Sequence, residues 1–208
     1  MQTEIKSILL SGSFAPSGEN AQPWEFKLND NKVLLFNVPE RDQSLYNWRQ
    51  RASYIAHGAA LENMVVAASA LGYDAQVDIL PDSANQNHVA TLTLTPSTPS
   101  KDTLYPYIEK RVTNRKPYKK DPLTKDQSSA LRGVACDGAS FLLTEDRAKI
   151  DQLAEVGGTN ERIMLENKNI HNFFFSHINW TKEEELVKRY GFYIETLELP
   201  PPARFMFK

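Results

Sequence analysis

The sequence of 208 residues predicts an α+β fold. Three of the four predicted strands alternate apolar and polar residues, which is the pattern of strands that bury one face. A separate long segment repeats apolar residues at the spacing of one helix face. The predicted strands are residues 24–28, 32–38, 74–80 and 88–95, and the long predicted helix is residues 54–71.

The chain opens with a predicted short helix and a predicted hairpin. Apolar residues fall on one side of a helix over residues 3–10. The polar turn Asn-Asp-Asn at residues 29–31 joins the first two strands, which we therefore expect to form a hairpin. Residues 39–51 are polar with scattered aromatic side chains, and they predict a loop or a short helix.

The long helix over residues 54–71 is rich in alanine, which indicates close packing against another helix or a sheet. Ser53 is its predicted N-cap and Gly72 its predicted C-cap. The apolar stripe that predicts the helix consists of Ala60, Leu61, Met64, Val65, Ala68 and Leu71.

Residues 96–102 are rich in proline and serine and predict a linker between two halves, residues 1–95 and 103–208. Thr124, followed three positions later by Gln127, predicts a capping box. The elements predicted after the linker are a helix at 104–111, a turn at 117–123, a helix at 124–134, a strand at 139–144 and helices at 146–156, 159–177 and 181–190.

The composition excludes several classes of protein. The chain is 41% hydrophobic and 24% charged, as soluble globular proteins are. Its net charge of -2 gives no reason to expect a nucleic-acid partner. A single cysteine, Cys136, excludes a disulfide within the chain. No signal peptide and no stretch of about 18 apolar residues is present, so we expect a cytoplasmic protein without a membrane partner.

The loop that reads FAPSGENAQPWEF, residues 14–26, concentrates small hydrogen-bonding side chains. Its prolines stiffen the backbone, Gly18 permits close approach of a ligand, and Trp24 anchors the loop. Donors and acceptors held in this way suit the edge of a heteroaromatic ring. The alternative is that the same side chains only satisfy local backbone groups. The candidate ligand contacts are Pro16, Ser17, Asn20 and Gln22.

A basic segment, residues 110–118, is the second candidate. Arg111, Thr113 and Arg115 alternate, so their side chains point the same way in an extended segment. Two guanidinium groups with a hydroxyl between them fit a phosphate. The alternative is a solvated basic run at a helix end.

The remaining chemistry-bearing residues predict no catalytic side chain and no metal site. His57, on the long helix, is more typical of a packed histidine than of a base. His171 and His177 fall on different helix faces and do not suit a shared metal. Cys136 has no histidine close to it in the sequence, which argues against a catalytic thiol.

Together the two candidate segments resemble the nitroreductase family. The loop fits the family pattern P-S-x-x-N-x-Q-P-W, and RVTNR resembles its R-x-S-x-R phosphate-binding segment with Thr113 in place of serine. In ordinary members the arginine segment precedes the loop, whereas here it follows. The order is similar to that of a fused, double-half branch, the Acg-like proteins. Chains of that branch continue past the proline run at residues 200–202, so we expect this sequence to lack their C-terminal portion.

The resemblance implies a mixed, largely antiparallel sheet flanked by helices and an FMN-dependent NAD(P)H oxidoreductase. Family members are homodimers whose flavin sites lie between subunits, and a fused chain would supply both sides. NAD(P)H would donate electrons, and a nitroaromatic or quinone would be the small-molecule acceptor. Arg111, Thr113 and Arg115 would hold the phosphate and ribityl end or the pyrimidine edge, and the loop residues would line the isoalloxazine. Two alternatives stay open: flavin binding or sequestration without turnover, and a dimerisation module that uses the phenylalanine-rich tail.

Overall fold

The structure is a computed structural model that describes residues 2–100, 102–119, 121–134, 138 and 141–199. The chain forms two compact units. The first contains Met1–Asn114 and His177–Lys208, and the second contains Arg115–Ser176. The predicted halves have other limits and stay a prediction.

The core of the first unit is a four-stranded antiparallel sheet with the strand order β1-β2-β4-β3. All four predicted strands are confirmed, with ends that differ by at most one residue. The strands are β1 (Trp24–Asn29), β2 (Lys32–Asn37), β3 (Tyr73–Ile79) and β4 (His88–Pro96).

Two helices, α1 (Gln2–Ser13) and α2 (Arg51–Ala70), pack against each other, and α2 contacts the sheet. The α+β prediction with a largely antiparallel sheet is therefore confirmed. A Cβ atom added at Gly12 would lie 2.8 Å from Met64 Cγ, so the two helices approach closely only because position 12 has no side chain. The completely buried apolar side chains of this core include Ile8, Val33, Leu35, Met64 and Leu92.

The predicted N-cap of α2 is wrong. The helix begins two residues before Ser53, after Gln50, whose φ of 60° lies in the left-handed region. Ser53 is buried and bonds to Asn47: its backbone N–H donates to Asn47 Oδ1 (3.0 Å), and its Oγ accepts from Asn47 Nδ2 (2.9 Å). At the other end, Gly72 has a φ of 84° directly after the C-cap Leu71. This left-handed glycine ends the helix where the sequence predicted.

The second unit contains three helices, α3 (Lys125–Arg132), α4 (Arg147–Glu166) and α5 (Lys168–Ser176). The capping box of Thr124 and Gln127 is confirmed. Contrary to the prediction, α4 continues through the two glycines at residues 157–158. The break falls instead at Asn167, whose Oδ1 accepts from the N–H groups of Asn169 (3.1 Å) and Ile170 (3.2 Å). A capping side chain therefore decides this boundary.

Other predicted elements are shorter or missing. The predicted helix at 104–111 is a single 3₁₀ turn at Tyr105–Tyr107. Of the predicted strand at 139–144, the described residues 141–144 are not in a strand; residues 139, 140 and Cys136 lie outside the described residues.

The last described part of the first unit begins with β5 (Ile178–Asn179) and continues through α6 (Lys182–Lys188) to β6 (Phe192–Tyr193). The strands β5 and β6 pair in parallel. None of the helices in the described ranges is long and apolar enough to cross a membrane.

Candidate functional site

The loop between α1 and β1 is held in an unusual backbone conformation. Glu19 (φ 49°), Asn20 (φ 54°) and Gln22 (φ 49°) all lie in the left-handed region, although none of them is glycine. Each such residue costs free energy and persists only where the surroundings enforce it. Strain of this kind is typical of ligand-binding segments.

Two of the predicted ligand contacts hold the loop itself in shape. Ser17 Oγ accepts from the backbone N–H of Gln22 (3.0 Å). The Gln22 side chain donates from Nε2 to the carbonyl of Arg189 (2.8 Å) and to that of Asn20 (3.3 Å). These bonds agree with the alternative interpretation, in which the side chains satisfy backbone hydrogen-bonding groups nearby. They also fix the shape that the loop presents to solvent.

The other two predicted contacts, Pro16 and Asn20, are exposed at the loop surface. The loop is fastened behind them. Pro23 is buried, and its carbonyl accepts from the backbone N–H of Val38 (2.8 Å) and from His57 Nε2 (3.0 Å). Because a carbonyl only accepts, His57 must carry its proton on Nε2. Burial lowers the pKa of His57, which favours this neutral form.

Arg41 is a supporting residue that sequence reasoning missed. Its Nη1 donates to the carbonyls of Gln22 (3.1 Å) and Trp24 (2.9 Å), the residues on either side of the buried Pro23. One guanidinium thus fixes the exit of the loop into β1. No local pattern in the sequence signals this role, because the contact depends on how residues 39–41 fold back.

The structure brings the first arginine of the basic segment to the loop. Arg111 Nη2 lies 3.5 Å from the carbonyl of Phe14, at the start of the loop and 97 positions away in the sequence. Arg111 and Thr113 are exposed and belong to the same unit as the loop. Arg115 is also exposed, but it is the first residue of the second unit.

A partly buried acid within the loop itself, Glu19, was not predicted. Its carboxylate is 3.6 Å from His177 Nδ1. Burial raises the pKa of Glu19; the positive charge of a protonated His177 opposes that rise, and the negative charge of Asp42 adds to it. Glu19 occupies an unspecified position of the loop motif, so no sequence pattern signals its role.

A segment near the end of the described chain reaches the loop from the other side. The backbone N–H of Gly191 donates to the carbonyl of Glu19 (3.0 Å), next to the bond between Gln22 and the Arg189 carbonyl. Gly191 has a φ of 84°, and a Cβ atom there would lie 2.2 Å from the His177 carbonyl oxygen. Only glycine fits this position.

Comparison with known proteins gives several relatives from Mycobacterium tuberculosis. No family model matches the chain. The chain is 30% identical over 156 residues to the "Putative NAD(P)H nitroreductase acg" of Mycobacterium tuberculosis, and the match covers 73% of this chain and 44% of that protein. It is 28% identical over 140 residues to the "Putative NAD(P)H nitroreductase Rv3131" of the same organism, which covers 66% and 41%. This chain therefore spans less than half the length of the curated relatives it matches.

Among solved structures, one of "a putative nitroreductase in complex with fmn" from Desulfovibrio desulfuricans is 22% identical, covers 56% of this chain and 87% of that chain, and has a TM-score of 0.39. At this TM-score the likeness contributes nothing to the assignment. The sequence relatives do contribute: both carry the same family name, and this chain belongs to the nitroreductase family.

Proposed function

We propose that the protein is an FMN-dependent oxidoreductase of the nitroreductase type, which moves electrons from NAD(P)H to a small nitroaromatic, quinone or similar acceptor. The observation that carries the proposal is the position of Arg111 beside the start of the loop. One unit of a single chain thereby offers a cation for a phosphate and a strained, preformed loop for a ring.

The exposed groups at this place fit FMN. The guanidinium of Arg111 has five N–H donors, and a fork of this kind suits a phosphate. The Asn20 side chain is exposed and makes no hydrogen bond within the described part of the chain, so its amide is available to the polar edge of a flavin. Ser17 and Gln22 would act mainly by holding the loop, and with it Asn20, in place.

Bound FMN would supply the redox chemistry, and the protein would bind and orient it. Pro16 and Asn20 would contact the ring from the loop. Arg111, with Thr113, would hold the phosphate and ribityl end; a role for Arg115 rests on the family resemblance alone. No side chain is proposed as a proton donor, because hydride and electron transfer through a flavin do not require one.

The test is a visible absorption spectrum of the purified chain after FMN is added and the unbound flavin is removed by desalting. Retained flavin bands support the proposal. A colourless protein that takes up no FMN contradicts it. If flavin is retained, NADH and NADPH are added without oxygen, and bleaching of the flavin band identifies the donor.

Flavin binding or sequestration without turnover is the second candidate. Flavin that is retained but stays oxidised with both nicotinamides would support this candidate over the first.

We also propose that the chain forms a homodimer. Support comes from α4, where Leu153, Val156 and Ile163 are exposed at spacings that place them on one helix face. An exposed apolar stripe of this kind is typical of an association surface. Sedimentation equilibrium should give the mass of two chains, and Leu153→Asp should lower it to that of one. A monomeric wild-type chain would contradict the proposal.

A further inference from the structure

We propose that residues 177–193 form a clasp that keeps the loop at residues 16–22 in its binding shape, and that His177 is a pH-sensitive positioning residue that acts through Glu19. The clasp is a property of the folded chain. Its effect on FMN affinity rests on the function proposed above.

Three contacts join the clasp to the loop. Gly191 N–H donates to the Glu19 carbonyl (3.0 Å), the Arg189 carbonyl accepts from Gln22 Nε2 (2.8 Å), and His177 Nδ1 lies 3.6 Å from Glu19 Oε2. All three end on Glu19 or Gln22, two of the left-handed residues of the loop. Such residues need outside contacts to stay in place, and the clasp supplies them.

The clasp is itself built to hold His177 and Gly191 side by side. Phe192 N–H donates to the His177 carbonyl (2.8 Å), within the parallel pairing of β5 and β6. Asn179, which is 1% exposed, donates from Nδ2 to the Tyr190 carbonyl (2.7 Å). The missing side chain at Gly191 lets the two backbones meet.

The charges around Glu19 make the third contact depend on pH. The side chains of Glu19 and His177 are only 15% and 21% exposed. The other ionisable group that acts on Glu19 is Asp42, which has the same sign and is buried. Further ionisable residues with contacts here, among those that the structure describes, are Arg41, which bonds the Gln22 carbonyl, Arg189, whose carbonyl accepts from Gln22, and Tyr190, whose ring lies 5.9 Å from the imidazole.

Of these kinds of side chain, imidazole is the one whose charge changes between about pH 5 and pH 8, and in this pair it faces Glu19. When the imidazole is neutral, ionised Glu19 faces the like charge of Asp42 in a poorly hydrated place, without this cation. We therefore expect the clasp to loosen from the loop as the pH rises from about 6 to about 8.

The experiment is hydrogen exchange with mass spectrometry on the full chain without FMN, at pH 6 and pH 8, corrected for the intrinsic exchange rates. The protection factors of the peptide that contains Gly191 and of the peptide that contains residues 16–22 should be about fivefold lower at pH 8 than at pH 6. This is the effect of one modest ion pair. His177→Gln and Glu19→Gln should each remove this pH dependence. His88→Gln, which alters a histidine bonded to Thr91 on β4, should retain it.

Equal protection at both pH values in the wild type, or an unchanged pH dependence in His177→Gln, overturns the proposal. Peptides of β4 report whether each variant is folded; if His177→Gln is not, Glu19→Gln gives the same decision.

FMN titration at the two pH values separates the claim about the clasp from the claim about FMN binding. If FMN binds, wild-type affinity should fall about fivefold at pH 8 and that of His177→Gln should not change. If no FMN binds, the proposed function fails and the exchange result still decides the clasp.

Discussion

The sheet region of the first unit and the helices of the second unit are stabilised in different ways. In the first unit, α1, α2 and four strands enclose side chains such as Leu35, which is 0% exposed. In the second unit, Met164 is the one buried residue among those described, and Leu142 is 92% exposed. The first region is specified by a shared core, whereas the second is specified mainly by its helix caps.

This contrast places the candidate site on the rigid region. The loop follows α1 and leads into β1, and it is fastened to α2 through His57 and to residues 39–41 through Arg41. A strained loop needs such a support to keep its shape. The helices of the second unit, which lack a comparable core, suit association better than precise positioning.

The largest expected effect comes from matched leucine truncations in the two regions. Leu35→Ala should lower the free energy of unfolding by about 3 kcal/mol, because it leaves a cavity in the core of the sheet. Leu142→Ala should change it by less than about 0.5 kcal/mol, because the side chain is exposed. Urea denaturation of both variants measures the difference. Similar losses for the two variants would remove the contrast between the regions.

A glycine pair should give effects of opposite sign. Gly191→Ala places a Cβ atom 2.2 Å from the His177 carbonyl oxygen at a φ of 84°, and it should cost about 2 kcal/mol or more. At Gly158, inside α4, an added Cβ atom meets nothing within 4 Å, so Gly158→Ala should gain about 0.5–1 kcal/mol. Thermal unfolding measures both. A neutral Gly191→Ala would show that the turn at this position is not constrained.

A smaller effect is expected from removal of a cap in the second unit. Thr124→Ala removes the hydroxyl that accepts from the Gln127 backbone N–H, one of the two bonds of the capping box of α3, and should cost about 1 kcal/mol. If the second unit depends on local signals, hydrogen exchange should quicken within α3 and stay unchanged in β4. Faster exchange across the whole chain would contradict the separate stabilisation of the two regions.

Because of His57, the free energy of unfolding should decrease gradually as the pH is lowered. Burial lowers its pKa in the folded state, so the unfolded chain binds a proton more readily. The stability that neutral His57 contributes is therefore present above its unfolded pKa, near 6.5, and is lost as the pH falls through its folded pKa. Urea denaturation between pH 7.5 and 5 should show this slope, and His57→Gln should reduce it. An unchanged slope in the variant would assign the acid sensitivity to other groups.

The sequence predicted the sheet region well because its signals are local and repeat along the chain. Alternation located β1, β3 and β4, the turn at residues 29–31 indicated β2 as the hairpin partner of β1, and the apolar stripe located α2. The predicted helix break at the two glycines near residue 157 was wrong, because helix hydrogen bonds continue through them and the side chain of Asn167 caps the next helix.

The site was predictable only in part. The loop motif and Arg111 have sequence patterns, and the structure places them together. Arg41, His177 and Gly191 have none, because each acts on a residue that is close only after folding. Whether the loop residues and the arginines bind a cofactor stays a prediction from the family pattern.

The most direct test of the central claim is the affinity for FMN of the wild-type chain, the double variant Arg111→Ala/Arg115→Ala and the control Arg147→Ala. Arg147 is 81% exposed, pairs with Asp151 on α4, and is unrelated to the loop. Isothermal titration should show that the wild type and the control bind alike, and that the double variant loses about 1.5–3 kcal/mol for each charged contact. Equal affinity in all three chains, or no binding by the wild type, would contradict a flavin site built from the loop and the basic segment.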